Sequence, residues 1–187
     1  MKQLLLFLPI LLLCFTMSCD HRTSAKERLE ISIAEFGKKQ TALKVQSFYP
    51  ESYTEVKTDS IIANTFKVSI SNYSNMNKNL VLTETNSEKN KISKLHRVFE
   101  SDVLIAVNDK LIFQQHLSAA DFKDTTISDF WNNATLEQIW VNQEQSNQTE
   151  LLLGVSIINP KSKAYKYYEM RFDHAGKKSI QLIEENS

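Results

Sequence analysis

The 187-residue chain carries 22 lysines and arginines against 22 aspartates and glutamates, so its formal charge at neutral pH is zero. Contacts with nucleic-acid phosphates need a basic patch, and no run of five or more like charges is present, so nucleic acid is excluded as an expected partner. The three glycines, Gly37, Gly154 and Gly176, lie too far apart to build a phosphate-binding loop, a dinucleotide fingerprint or a nucleophile elbow.

The first 18 residues have the layout of a secretory signal peptide. Lys2 provides a positive start, residues 4–15 are almost wholly apolar, and smaller residues follow up to Ser18. The apolar run has 12 residues, whereas a membrane-spanning helix needs about 20, and Pro9 interrupts it. The alternative is that this segment is a helix buried in the folded domain, but a helix that is apolar on all sides would need a large core to cover it. We therefore expect residues 1–18 to be removed on export.

The end of this leader resembles the lipobox of bacterial lipoproteins. In that family a small residue precedes a cysteine that is acylated and becomes the new N-terminus. Ser18 and Cys19 occupy these two positions, although Thr16 stands where leucine is commoner. The other cysteine, Cys14, follows the bulky Leu13 and does not fit. The resemblance implies lipidation of Cys19 by acyl chains such as palmitate, and each buried methylene contributes about 0.8 kcal/mol to membrane anchoring.

The expected mature chain has 169 residues from Cys19 onward and no further cysteine, so it can form no disulfide of its own. We expect a polar tether over residues 19–28 and a single β-rich domain over residues 29–187 that relies on a packed core. Residues 29–43 alternate between apolar and polar at first, as a strand does, but their Lys, Glu and Ala content also suits a helix. The sequence leaves these two alternatives open.

From residue 65 onward, period-two patterns predict an antiparallel β domain. Residues 66–71 read as a strand with one solvated face, and the polar residues 72–79 read as a loop. The clearest hairpin turns at Asn108 and Asp109, because these residue types tolerate positive φ. Further strands are predicted at residues 136–142, 150–158, 164–173 and 179–183.

Two short helical turns are predicted after Ser118 and Ser128, which have the side chains favoured at helix N-caps. Consecutive strands joined by short turns, without long intervening helices, indicate an antiparallel meander. The expected fold is mainly β, at the margin of α+β, with a curved sheet or a two-layer sandwich and one or two short helices.

No catalytic, metal or cofactor site can be read from the sequence. The histidines have no second histidine or carboxylate at ligand spacing, so we interpret them as surface or hydrogen-bonded groups: His21, His96, His116 and His174. The aspartates near the helical turns do not have calcium-loop spacing, so we interpret them as caps and solvated turn residues: Asp121, Asp124 and Asp129.

The aromatic strand AYKYYEMRFD, residues 164–173, holds the candidate binding residues. Alternation places Tyr165 and Tyr167 on one face and Tyr168, Met170 and Phe172 in the core. Tyr165 and Tyr167 would form an exposed aromatic ledge for a sugar ring or a protein partner. The alternative is ordinary cross-strand pairing.

The two tryptophans, Trp131 and Trp140, could likewise be exposed for binding or packed within the fold. For both we expect packing in the core or between helix and sheet.

The body of the chain also resembles a known group of proteins. The segments FKVSISNYS, FESDVLIAVNDKLIFQQHL with SAADF, and YYEMRFDHAGKKSI are similar to small Bacteroidetes lipoproteins that carry a β-rich domain of unknown function. The resemblance covers roughly residues 59–183. It implies an envelope location and a compact antiparallel domain, and it brings no functional residues with it.

These features together predict a lipid-anchored protein of the cell envelope, on the periplasmic side or the cell surface. We expect a non-enzymatic binding or assembly module for a glycan or an envelope protein, possessing no cofactor. The alternative is a hydrolase whose site is assembled by the fold from His116 and the region of residues 121–129. A structural subunit that pairs through an edge strand is a third hypothesis.

Overall fold

The computed structural model describes residues 24–39, 43–86, 90–123 and 129–186. The signal peptide, Cys19 and His21 lie outside the described residues, as do Asp124 and Ser128. The chain divides into two compact units, residues 1–43 and residues 44–187. The described part of the first unit is the helix α1, Ala25–Lys39. No helix among the described residues is both long and apolar enough to cross a membrane.

Helix α1 decides, for residues 29–39, between the two alternatives that the sequence left open. Ser24 precedes it, and the Ser24 Oγ accepts a hydrogen bond from the Glu27 N–H at 3.1 Å, which satisfies one of the free donors of the first turn. Apolar residues then recur at helical spacing at Leu29, Ile33 and Phe36. Residues 25–28, which we assigned to the tether, form the first turn of this helix.

From Leu43 onward the described residues form nine strands and two short 3₁₀ helices. The strands are β1 (Leu43–Tyr49), β2 (Glu55–Ile62), β3 (Phe66–Asn86), β4 (Asn90–Val107), β5 (Lys110–Leu117), β6 (Thr135–Val141), β7 (Glu150–Asn159), β8 (Ala164–Asp173) and β9 (Lys178–Asn186). The 3₁₀ helices, η1 (Ala119–Phe122) and η2 (Asp129–Asn133), lie between β5 and β6.

The strands make two sheets. The first has the order β1-β4-β3-β2, with β5 also paired to β4, and the second has the order β6-β7-β8-β9. The β2–β3, β3–β4 and β4–β5 pairs and all three pairs of the second sheet are antiparallel. The predicted mainly β fold, with two layers and little helix, is therefore confirmed.

A single apolar core fills the space between the two sheets. Phe66, Ile70 and Val103 of the first sheet are fully buried, as are Leu153 and Phe172 of the second. Successive residues of a strand point to opposite faces, so one side chain in two reaches this core and the other lies on an outer face. The outer faces are consequently the places where polar and aromatic residues can form a site.

The predicted loop over residues 72–79 is wrong, because β3 continues through it. Tyr73 pairs with Glu100 of β4, and a shift in register between Asn75 and Asn79 takes up the extra residues as a bulge. The asparagine-rich sequence disfavours a strand, but backbone pairing to the 18-residue β4 outweighs that local preference. The predicted turn at Asn108 and Asp109 is confirmed, with φ values of 49° and 65°.

Asn72 joins the two sheets at the edge where β3 approaches β6. Its Nδ2 donates to the Ile139 carbonyl at 2.9 Å, and its Oδ1 accepts from the Ile139 N–H at 2.8 Å. Nearby, the Phe99 N–H donates to Thr135 Oγ1 at 2.7 Å. The Asn72 side chain therefore satisfies the backbone of β6 on the side where it has no neighbouring strand, and the Thr135 side chain satisfies a backbone N–H of β4.

Candidate functional site

The outer face of the second sheet carries a stacked pair of aromatic rings. Trp140 of β6 lies opposite Gly154 of β7, and Tyr167 lies on the next strand, β8. The indole of Trp140 and the phenol of Tyr167 stack with centroids 5.5 Å apart and planes 16° from parallel. We call Trp140 and Tyr167, with the neighbouring Tyr165, the aromatic platform.

Gly154 allows the indole to lie against the sheet. A Cβ atom at position 154 would lie 2.5 Å from Trp140 Cε2 and 2.6 Å from Cζ2, well inside van der Waals contact. Any side chain on residue 154 would therefore push the ring off the strand. A glycine inside a strand commonly marks such a close approach, and here the approaching group is an aromatic ring.

Both tyrosines of the platform are half-buried. The Tyr165 hydroxyl donates to the Glu184 carboxylate of β9, and this hydrogen bond, followed by desolvation, raises the pKa of Tyr165. Desolvation and the nearby charge of Glu169 raise the pKa of Tyr167. Both phenols consequently keep their protons at neutral pH and remain neutral hydrogen-bond donors.

An ion pair between the buried Glu169 and the exposed Arg171 borders the platform. The Glu169 side chain is 7% exposed, and its Oε1 accepts from Arg171 Nε at 2.8 Å and from Arg171 Nη2 at 2.7 Å. Arg171 also approaches Glu150, with 3.8 Å between Nη1 and Oε2. Glu169 lies opposite Gly154, beneath the indole, and Arg171 follows two residues along the same strand face. Aromatic surface and a guanidinium on one sheet face can contact the apolar and the hydroxyl-bearing sides of a sugar.

The structure confirms the alternation predicted for β8 and corrects one tryptophan. Tyr168, Met170 and Phe172 are 6%, 0% and 0% exposed and belong to the core. Trp131 packs against the core from η2 as expected. The prediction of core or helix-on-sheet packing is wrong for Trp140, because its position in β6 points outward over Gly154. The lone glycine in an otherwise apolar strand was the signal for this arrangement.

A second cluster lies on the outer face of the first sheet, around His116. Its Nδ1 is 2.9 Å from Asp102 Oδ1 and 3.2 Å from the Tyr73 hydroxyl, and its Nε2 is 3.5 Å from Glu100 Oε2. The fold has brought these residues together from β3, β4 and β5. We call Tyr73, Glu100, Asp102 and His116 the His116 cluster.

Glu100 is the buried member of this cluster, with a side chain only 4% exposed. It accepts hydrogen bonds from Lys78 Nζ at 2.7 Å and from Asn75 Nδ2 at 2.8 Å. Burial acts to raise the pKa of Glu100, but these two hydrogen bonds and the charge of Lys78 outweigh burial, so the pKa lies below its ordinary value. Glu100 is therefore a buried, charged carboxylate that is already partnered.

The carboxylates beside His116 are not the ones that the hydrolase hypothesis named. Asp121 accepts from the Ser118 N–H and Oγ at 2.8 and 2.9 Å, and it thereby holds the start of η1. Asp129 accepts from Asn132 Nδ2 at 3.2 Å. In the described residues both ring nitrogens of His116 face carboxylates, so the ring is positioned by charge.

The other described histidines have structural partners. His96 is 6% exposed, and its Nδ1 lies 2.7 Å from the Arg97 carbonyl. His174 stacks on Phe66, with ring centroids 5.5 Å apart. Within the described ranges no three or more His, Cys, Asp and Glu residues are grouped so that they could hold a metal ion.

No protein-family model matches this chain, and no curated protein matches it.

Proposed function

We propose that this protein is a lipoprotein of a bacterial cell envelope, anchored through acyl chains on Cys19, whose body binds a glycan on the aromatic platform and catalyses no reaction. The observation that carries the binding proposal is the stack of Trp140 and Tyr167 over Gly154. The pattern Ser18-Cys19 at the end of an apolar leader supports the anchor.

The platform has the properties that favour carbohydrate recognition. Sugar rings present C–H groups that pack against aromatic surfaces, and the stacked rings of Trp140 and Tyr167 are only half-buried, so part of their surface is open to solvent. Arg171, whose side chain is 44% exposed, adds a charged hydrogen-bond donor at its border for ring hydroxyls, and the buried Glu169 holds that guanidinium in place. The rings stand on β6 and β8, which both pair with β7 between them, so binding would order few side chains and would lose little conformational entropy.

Binding of soluble envelope polysaccharides and oligosaccharides to the mature body, measured by calorimetry or on a glycan array, tests the platform. We expect Trp140→Ala and Tyr167→Ala each to weaken binding by about tenfold or more, the equivalent of losing about 1.4 kcal/mol. The matched control is Tyr53→Ala, since Tyr53 is 51% exposed and lies just before β2 of the first sheet, away from the platform. If Trp140→Ala bound glycan as tightly as the wild-type chain, the proposal would be contradicted. It would also be contradicted if the protein bound an envelope protein and no glycan.

The anchor has an independent test. We expect Cys19→Ala to move the protein from the membrane fraction to the soluble fraction, because the acyl chains have no other attachment point in the proposal. Mass spectrometry of the wild-type protein, purified from its own envelope, is expected to find Cys19 acylated and at the N-terminus. Unchanged membrane partitioning of Cys19→Ala, or a leader still attached, would refute the anchor.

A further inference from the structure

Helix α1 presents an apolar stripe that is largely exposed in the described part of the chain. Leu29, Ile33 and Phe36 are 61%, 62% and 70% exposed. At about 100° of rotation per residue, these three side chains fall within an arc of roughly 60°. Ile31 is 49% exposed and lies on the opposite side, so the helix has one apolar stripe and one isolated apolar residue. We call Leu29, Ile33 and Phe36 the α1 stripe.

The position of α1 in the chain indicates what covers the stripe. The helix begins at Ala25, six residues after Cys19. An extended chain spans at most about 3.6 Å per residue, so the start of α1 is within about 20 Å of any lipid on Cys19. If Cys19 is acylated, as the proposed function holds, the stripe is therefore confined next to a bilayer surface.

We infer that α1 lies flat in the membrane interface, with the α1 stripe among the acyl chains beside the lipid anchor. The helix has 15 residues, which is too short to span, and apart from Ile31 the large side chains on the rest of its circumference are polar. It contains four basic residues and three acidic ones, a nearly balanced charge. Burial of apolar side chains, and not attraction to anionic lipids, is then the driving force, so zwitterionic phosphatidylethanolamine bilayers suffice as the partner.

The cysteine composition allows a direct test on the full lipidated chain in phosphatidylethanolamine-rich vesicles. With Cys14 removed and Cys19 acylated, a single introduced cysteine is the only free thiol. Nitroxide labels at Ile33→Cys and Phe36→Cys report on the stripe, and labels at Glu27→Cys and Glu35→Cys report on the remaining faces as matched controls. The accessibility of each label to oxygen, which concentrates in lipid, is compared with its accessibility to a water-soluble nickel complex.

We expect the oxygen-to-nickel accessibility ratio to be several-fold higher for the two stripe labels than for the two control labels. If all four labels are equally accessible to nickel while mass spectrometry shows an acylated Cys19, the inference about α1 fails and the anchor stands. If the stripe labels are protected from both reagents, protein and not lipid covers the stripe, and the inference again fails alone. An unmodified Cys19 refutes the proposed anchor and the membrane position of α1 together.

Discussion

Replacing Gly154 by alanine tests whether the indole of Trp140 truly lies against the strand. In an ordinary strand this change is favourable, because alanine restricts the unfolded chain, and stabilisation of about 0.4–1 kcal/mol is usual where the backbone permits it. Here the new Cβ meets three Trp140 atoms at 2.5, 2.6 and 2.9 Å. Overpacking of that kind costs about 1–3 kcal/mol. We therefore expect Gly154→Ala to lower the free energy of unfolding, opposite in sign to the usual effect.

A displaced indole does not rescue the variant. If Trp140 swings away from the new methyl group, it loses its stack with Tyr167, and aromatic pairs contribute about 0.5–1.5 kcal/mol beyond the area they bury. In the Trp140→Ala background the obstruction is gone, so the same Gly154→Ala change is expected to be neutral or stabilising. The coupling between the two sites should then be about 1–3 kcal/mol, within the range that contacting residues show.

Urea unfolding of the four members of this double-mutant cycle, followed by circular dichroism, measures both quantities. The slope of the free energy against urea concentration should stay constant across the four proteins, so that shifts in midpoint report stability alone. Two results would refute the reasoning. One is a Gly154→Ala variant that is more stable than the unmodified protein, and the other is a pair of effects that add within about 0.5 kcal/mol.

Three further predictions follow from other contacts. Asn72→Ala should lower the free energy of unfolding in urea by about 2–4 kcal/mol. Ile139 is 1% exposed, and its N–H and carbonyl would both lose their hydrogen-bond partner. A loss below about 0.5 kcal/mol would show that these bonds are dispensable. The pKa of Glu100 is lower in the folded state than in the unfolded state. Its contribution to stability is therefore complete above the unfolded pKa of about 4.3 and is lost as the pH falls through the folded value. Glu100→Gln should flatten the plot of unfolding free energy against pH below about pH 4.3, and an unchanged plot would contradict this. Tyr165→Phe removes only the exposed hydrogen bond to Glu184 and should change stability by less than about 1 kcal/mol in thermal unfolding, whereas a larger loss would place that bond in the core.

The parts of the fold that the sequence predicted are those in which local pattern and tertiary context agree. In β8 every second side chain from Tyr168 to Phe172 points into the core, so these residues could be assigned to the interior from period two alone. Glu169, on the other face, is buried as well, which alternation does not predict. The turn at Asn108 and Asp109 needs positive φ at two consecutive residues, and few residue types tolerate it. In both places a single physical requirement determines which residues fit.

The parts that the sequence did not predict depend on partners far along the chain. Residues 72–79 look like a loop because asparagine disfavours strands, and only the pairing with β4 shows why they extend β3. His116 and Glu100 are 16 residues apart, and their meeting on one sheet face follows from the register of β4 and β5. Local propensity carries no information on such registers.

The candidate site shows the same division. Tyr165 and Tyr167 could be placed on one face of their strand from alternation, but Trp140 could not be assigned to that face without the register of β6 against β7. The two alternatives for residues 29–43 were separated by the Ser24 cap and by the helical spacing of Leu29, Ile33 and Phe36. A three-residue alternation of apolar side chains is too short to distinguish a strand from a helix.

The contact between Asn72 and Ile139 also fixes how the two layers are aligned. Among the described residues no strand of one sheet pairs with a strand of the other, yet the Asn72 side-chain amide bonds both the N–H and the carbonyl of Ile139 in β6. If β3 slipped by a single position, every side chain along it would change sides, and Asn72 would turn toward water. Hydrogen bonds are directional, so these two bonds break if one layer slides over the other. Apolar packing is non-directional and would oppose a small slide less strongly. Asn72 therefore fixes the alignment of the two layers more precisely than the apolar core does.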